Sequence, residues 1–312
     1  MTNSFVHDVI IIGAGPAGLT AALYCARYKL STQIFEKMSI GGQIVMSPMI
    51  DNFPGFPGGV VTHELMDSMH QQGKELGIEV IYEEVISIEL IPGASSVIYK
   101  VATSENTYQT RSVIIATGAQ SKRIGVAGEE KFIGRGVSYC GTCDGPLFKG
   151  KDIVVVGGGD RAIEEALFLS SYAKTVRLVH RRDIFRASEI IVEKAKANPK
   201  ITFMLSTVVE EIGGVDKVDT VKFKNLKSGE VSQCNCQGVF IFVGIKPDTY
   251  IVKDLLKLDD TGFIITDHEL KSSRDGIFVS GDCRKKSLYQ VITACGDGAV
   301  AASSAHKYLL NL

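Results

Sequence analysis

No apolar run in the chain of 312 residues approaches the roughly 18 needed to cross a membrane. The N-terminal stretch "MTNSFVHDVIIIGAGPAG" has no basic start, and its apolar run is too short for a signal peptide. Runs of like charge are also missing. With 34 Lys and Arg against 35 Asp and Glu the formal charge is −1, so the clustered basic footprint of a nucleic-acid or membrane-surface protein is absent. A disulphide framework is excluded too, because seven cysteines are few for this length and an odd number cannot pair completely. These absences point to a soluble, cytoplasmic protein. The length suggests two domains, each large enough to bury its own core.

Against that background the stretch "SYCGTCDG" (138–145) stands out, with Cys140 and Cys143 three positions apart and Asp144 directly after them. In a reducing compartment such a pair is catalytic or metal-binding. Zinc needs two further ligands at suitable spacing. The other close pair, Cys234 and Cys236, has one residue between its members and runs into the strand-like "GVFIFVG". In "HELMDSMH" the histidines His63 and His70 are seven apart, so the H-E-x-x-H spacing is absent and the segment reads as an amphipathic helix. No metal is expected.

Short β-branched runs alternate with helical stretches, the pattern of a mainly parallel α/β protein. The strand "DVIII" leads into Gly13-Ala14-Gly15-Pro16-Ala17-Gly18 and a helical run, and the next strand, "TQIF", ends at Glu36. Far downstream "DIVVV" leads into Gly157-Gly158-Gly159-Asp160-Arg161-Ala162 and another helix, and "TVRLV" ends at His180. Moving Gly13, Gly15, Gly18 and Glu36 forward by 144 positions lands on Gly157, Gly159, Ala162 and His180. The same strand–turn–helix–strand unit is used twice.

Each copy has the context that dinucleotide binding requires. The first glycine makes the turn, the second lets a pyrophosphate approach the backbone, and the third (or Ala162) packs helix on sheet. Phosphates then rest at the positive end of the helix. The second-strand ends separate the ligands. Glu36 accepts from a ribose hydroxyl and repels a phosphate, so the first site suits a nucleotide with a free ribose, FAD being the economical choice. In "HRRDIFR" Arg181, Arg182 and Arg186 stand where the acid would be, a cluster suited to the 2′-phosphate of NADPH rather than only a solvated basic face.

Taken in order, "GAGPAG" (13–18), "GGQ" (41–43), "DNFPGFP" (51–57), "ATGA" (116–119), "CGTCDG" (140–145), "GGGDRA" (157–162), "HRRDIFR" (180–186), "GIFVSGDC" (276–283) and "QVITACGDG" (290–298) resemble the low-molecular-weight thioredoxin reductases of bacteria over essentially the whole chain. The resemblance implies two Rossmann-like dinucleotide-binding domains. The FAD domain would be built from 1–118 and 247–312, and the NADPH domain with the dithiol, 119–246, would be inserted between them. It implies that Gly42, Gln43, Asn52, Ala116, Thr117, Gly118, Asp282, Gln290 and Val291 line the FAD, with His180 among the residues of the NADPH site. It further implies a homodimer in which NADPH reduces FAD and FAD reduces a Cys140–Cys143 disulphide, with Cys143 facing the flavin. Cys140 would then attack thioredoxin, Asp144 would manage the thiol protons, and the inserted domain would rotate between half-reactions. A reductase of another small dithiol protein, or a flavin dithiol oxidase, are the alternatives. Tyr289 stands where the family usually has Arg, and Gly141 where it commonly has Ala.

Overall fold

A computed structural model of the chain describes residues 5–46, 49–50, 52–92 and 97–312. Asp51 of the "DNFPGFP" segment lies outside the described residues. The chain divides into two compact units. The described residues of Met1–Val45, Val61–Gln120 and Lys246–Leu312 form the first, and those of Met46–Val60 and Ser121–Ile245 the second.

The first unit is built on the strand Val6–Ile12, whose last four residues are all buried. A run buried this way needs cover on both faces, the usual condition of a strand inside a parallel sheet. It pairs in parallel with Thr32–Phe35 on one side and Thr107–Ile115 on the other, and Ile277–Val279 adds a further parallel strand beside Thr107–Ile115. Beyond them the sheet turns antiparallel. Tyr99–Thr103 and Val85–Leu90 form a ribbon on Thr107–Ile115, and Tyr99–Thr103 alternates buried and half-buried residues as a strand with one covered face should. The helices Pro16–Arg27 and Val291–Leu309 pack closely on one another. Glycine at 298 permits this approach, since a Cβ there would collide with the Ala17 carbonyl.

The second unit carries a five-stranded parallel sheet in the order Val137–Ser138, Gly238–Phe242, Asp152–Gly157, Thr175–Val179 and Ile201–Met204. The helices Asp160–Ser170 and Glu189–Lys196 belong to it. A three-stranded antiparallel ribbon follows, formed by Thr207–Gly214, Val218–Asn225 and Val231–Asn235. The sequence pattern predicts the parallel strands and their glycine turns, and they are where it puts them. The two ribbons were not anticipated, because their alternating polar and apolar residues are settled by long-range pairing. The segments that pass between the units, Ala119–Ser121 and Ile245–Pro247, pair as a two-stranded sheet. Among the described residues no helix is long and apolar enough to cross a membrane.

Candidate active site

The first glycine turn joins Val6–Ile12 to the helix Pro16–Arg27. Gly13 has φ +106°, a left-handed conformation open to glycine and costly for other residues. A Cβ on Gly18 would collide with the Gly13 carbonyl, so the third glycine is fixed by the packing of the turn on its own helix. Gly15 differs: the nearest atom to a Cβ there is the Gly41 carbonyl at 3.8 Å. No contact among the described residues requires glycine at that position. The open cradle above it fits a pyrophosphate brought up to the backbone. Glu36 accepts the Ala14 N–H at 2.9 Å and the Met38 N–H at 3.0 Å, which orients its carboxylate beside the turn.

The same unit brings further predicted residues to this turn. Gly41 donates its N–H to the Ala14 carbonyl at 2.9 Å, and Gly42 and Gln43 follow at the start of a short 3-10 helix. Ala116 donates to the Ile12 carbonyl at 2.8 Å. Thr117 donates its hydroxyl to the Asp248 carbonyl. The Gly118 carbonyl accepts the Asp248 N–H at 3.0 Å. Asp282 sits in a one-turn 3-10 helix whose Gly281 packs against Ala17, and it pairs with Lys286 at 2.8 Å. Gln290 caps the helix that begins at Val291 through a reciprocal capping box with Thr293. Asn52 belongs to the other unit, in the stretch Met46–Val60 whose strand Met49–Ile50 packs on the dithiol helix.

The second turn repeats the logic. A Cβ on Gly157 would crowd Ala162 and the Phe242 carbonyl, whereas one on Gly159 would meet nothing within 4 Å. Again the middle position is the open one. Asp160 accepts the Ser188 N–H at 2.8 Å, and the Gly158 carbonyl accepts the Arg186 N–H at 2.8 Å, so the arginine loop is tied directly to the turn. Arg161 lies over the Phe242 ring at 5.6 Å. Arg181, Arg182 and Arg186 are exposed and line a cavity of about 410 Å³. His180 has a different place: it is buried under Gly158 and stacked on Phe185 at 5.4 Å. Burial, joined by the charges of Arg186, Arg182 and Arg181, holds its imidazole below the usual range, so it stays neutral and supports the turn from beneath.

Cys140 and Cys143 form a disulphide, with Cα atoms 5.3 Å apart. Cys140 caps the short helix Gly141–Asp144, and its Sγ accepts the Cys143 N–H at 3.2 Å and lies 3.4 Å from the Thr142 hydroxyl. Ser138 fixes the approach by accepting the Cys140 N–H at 3.1 Å. Asp144 is buried, and its N–H donates to the Cys140 carbonyl at 3.2 Å. A Cβ at Gly141 would meet the Glu165 carboxyl, the far end of a flexible side chain that would have to shift to admit it.

Two participants were missed by sequence reasoning. Lys227 lines the arginine cavity and pairs with Asp183 at 2.7 Å. It comes from the turn between two ribbon strands, and only the tertiary fold carries it there. Lys286, largely buried, joins Asp282 to Asp297, and Arg284 completes the cluster against Asp297 at 3.3 Å. The D-x-x-x-K spacing of Asp282 and Lys286 was the available signal. Tyr289 packs on Phe263, with Lys286 5.7 Å from its ring centre. Cys25 and Cys283 are buried, and burial pushes their thiols up to about 12 and about 11, which makes them inert.

Residues 7–298 match the model of a family described as pyridine nucleotide-disulphide oxidoreductase. A thioredoxin reductase of Peptoclostridium acidaminophilum is 43% identical over 310 residues, covering 97% of each chain. The crystal structure of thioredoxin reductase from Streptococcus pyogenes MGAS5005 is similar with a TM-score of 0.92 at 44% identity, covering 99% of this chain and 100% of that one. A protein of Mycobacterium leprae named bifunctional thioredoxin reductase/thioredoxin is 42% identical over 305 residues, 97% of this chain and 66% of that protein.

Proposed function

Since the chain belongs to the pyridine nucleotide-disulphide oxidoreductase family, we propose that it is a thioredoxin reductase working with FAD in the Gly13 turn and NADPH in the Gly157 turn. When bound, the nicotinamide supplies a hydride, and the flavin accepts it and delivers two electrons to a disulphide. The observation that carries the reading is the Cys140–Cys143 disulphide, held in the same unit as the Gly157 turn and a cavity lined by three arginines. The open position above Gly15 and Glu36 beside it support a dinucleotide with a free ribose at the first turn. Arg181, Arg182 and Arg186 favour a 2′-phosphate at the second.

The roles of the chain's own residues follow from their surroundings. Once the disulphide is reduced, Cys140 is the sulphur that keeps two donors, the Cys143 N–H and the Thr142 hydroxyl. Donors favour the thiolate, so Cys140 is the one to attack the partner's disulphide, leaving Cys143 to resolve the mixed disulphide. Asp144, buried next to Cys143, holds and returns the thiol proton. Thioredoxin is the partner proposed. One relative, named for both activities, carries reductase and thioredoxin in a single chain.

NADPH consumption by the purified yellow protein, measured with and without thioredoxin from the same cell, tests the proposal. Consumption that depends on thioredoxin is expected. Equal consumption with oxygen alone would point to a dithiol oxidase. Both the nicotinamide and the dithiol have to reach the flavin, yet both belong to the second unit. We propose that this unit rotates about Ala119–Ser121 and Ile245–Pro247 between half-reactions. Covalent cross-linking of the two units should then stop turnover while flavin stays bound, and full-rate cycling of a cross-linked protein would rule rotation out.

A further inference from the structure

The second unit holds another pair of cysteines that the thioredoxin chemistry leaves unused. Cys234 lies in the edge strand Val231–Asn235 of the antiparallel ribbon, and Cys236 lies just past its end. Side chains two apart on a strand share a face. Here Gln233 and Asn235 are exposed, Cys234 is half-buried and Cys236 is completely buried. Cys236 is fixed by its N–H, which donates to the Asp219 carbonyl at 3.0 Å. Both cysteines belong to one apolar cluster, Cys234 packing against the buried residues that include Cys236, and the Arg177 charge bears on both. The buried Nη1 of Arg177 has no hydrogen-bond partner among the described residues, and Asp152 is the opposing charge near Cys234. A half-buried cysteine under the charge of a nearby cation, with a second thiol two residues along, is the arrangement of a redox-sensing cysteine with its resolving partner.

We propose that Cys234 and Cys236 form a second dithiol, a modification site for hydroperoxides in which Cys234 attacks and Cys236 resolves. The Cys234 thiolate takes the terminal oxygen of the hydroperoxide. An S–O bond forms, the O–O bond breaks, and the leaving oxygen departs with a proton as water or an alcohol. The Cys236 sulphur then attacks the sulphenic acid. An S–S bond forms, the S–O bond breaks, and hydroxide leaves as water with the Cys236 proton. Two thiols are oxidised to one disulphide and one hydroperoxide is reduced. Reach is adequate, because two residues of extended strand advance about 6.6 Å and a disulphide spans about 4.4–6.8 Å between Cα atoms. The paired ladder ends at Asn235, so closing that distance disturbs one backbone bond, from the Cys236 N–H to the Asp219 carbonyl.

The electrostatics agree with the order of attack. The neighbouring Cys236 thiol and the Arg177 charge bring the Cys234 thiol down to about 7, against the burial that would raise it. The neighbouring Cys234 and burial push the Cys236 thiol up. Cys234 is therefore the more acidic of the two, and Cys236 keeps the proton that leaves with the water.

The test uses the full-length protein with Cys140–Cys143 left oxidised, so that only the free cysteines can report. After equimolar hydrogen peroxide, the peptide carrying Cys234 and Cys236 should lose two hydrogens and regain them with dithiothreitol. In Cys236→Ser, dimedone should instead trap Cys234 as the sulphenic acid. Untreated protein gives a measure that needs no variant. Iodoacetamide should alkylate Cys234 roughly tenfold faster than Cys295 at pH 7, with a rate that rises roughly tenfold between pH 6 and pH 8 as the thiolate forms. Cys234 alkylation no faster than that of Cys295 would overturn the proposal. So would peroxide treatment that carries Cys234 to the sulphinic acid while Cys236 stays a thiol.

Discussion

Cys140→Ser and Cys143→Ser will each bring thioredoxin reduction down to near background, and they will do so in different ways. NADPH should still bleach the bound flavin in both, because hydride transfer precedes the thiol step. The difference is in trapping. In Cys143→Ser the remaining Cys140 keeps its two hydrogen-bond donors, which are a backbone N–H and the Thr142 hydroxyl. It should attack an activated thioredoxin and, with no resolving thiol, stay joined to it as a mixed disulphide visible on a non-reducing gel. In Cys140→Ser no such adduct should accumulate. Asp144→Asn should keep the dithiol and the trapping but lose about 10²-fold or more in rate, the usual contribution of a positioned acid–base group. Substantial thioredoxin reduction in either serine variant would exclude the pair as the relay. Adducts appearing with the two variants exchanged would reverse the roles of the sulphurs.

Replacing Arg181 and Arg182 together should raise the apparent KM for NADPH by about 100-fold and leave NADH almost unchanged. The two nucleotides differ only by the 2′-phosphate, so any group that meets it alters one KM and not the other. A charge-assisted contact is among the stronger hydrogen bonds, but these side chains are exposed and solvent screens them, so roughly tenfold for each arginine is the reasonable scale. Lys227, which also lines the cavity, offers a sharper check. Its ammonium pairs with Asp183 at 2.7 Å, and Lys227→Gln should add a smaller increase for NADPH if the lysine turns toward the phosphate. Steady-state kinetics with both nucleotides decides the matter. Equal use of NADH and NADPH by the unaltered protein would remove the assignment.

What could be read from the sequence was whatever rests on local chemistry. The glycine turns were legible because each lies between a strand and a helix that the local pattern shows, and Gly18 answers to Gly13 within one turn. The helix Pro16–Arg27 was legible as the helical run after its glycine turn, and the dithiol from its spacing. The antiparallel ribbons were not, since Val218–Asn225 gains its meaning from partners on both sides. His180 shows the limit at a single residue. Its position in the second repeat matches that of Glu36, yet the ring turns under Gly158 and packs on Phe185. Nothing near His180 in the chain could show that, for the choice depends on how closely the turn lies over the strand end. The link between Lys227 and the arginines was hidden for the same reason.

The three-part make-up of the first unit bears on how the protein is born. The helix Pro16–Arg27 finds its main packing partner in Val291–Leu309, so the ribosome must finish nearly the whole chain before the first nucleotide fold can close. At the usual 5–20 residues per second, the opening strand and helix wait about 15–60 s for that partner. The stretch from Ser121 to Ile245 is continuous and can fold during this interval. Chains arrested soon after Ile245 has left the exit tunnel should therefore give a protease-resistant core that starts near Ser121, with the N-terminal segment still open to cleavage. The unit carrying the dithiol then acts as the early scaffold, and the flavin is the later acquisition, taken up only when the last helix arrives.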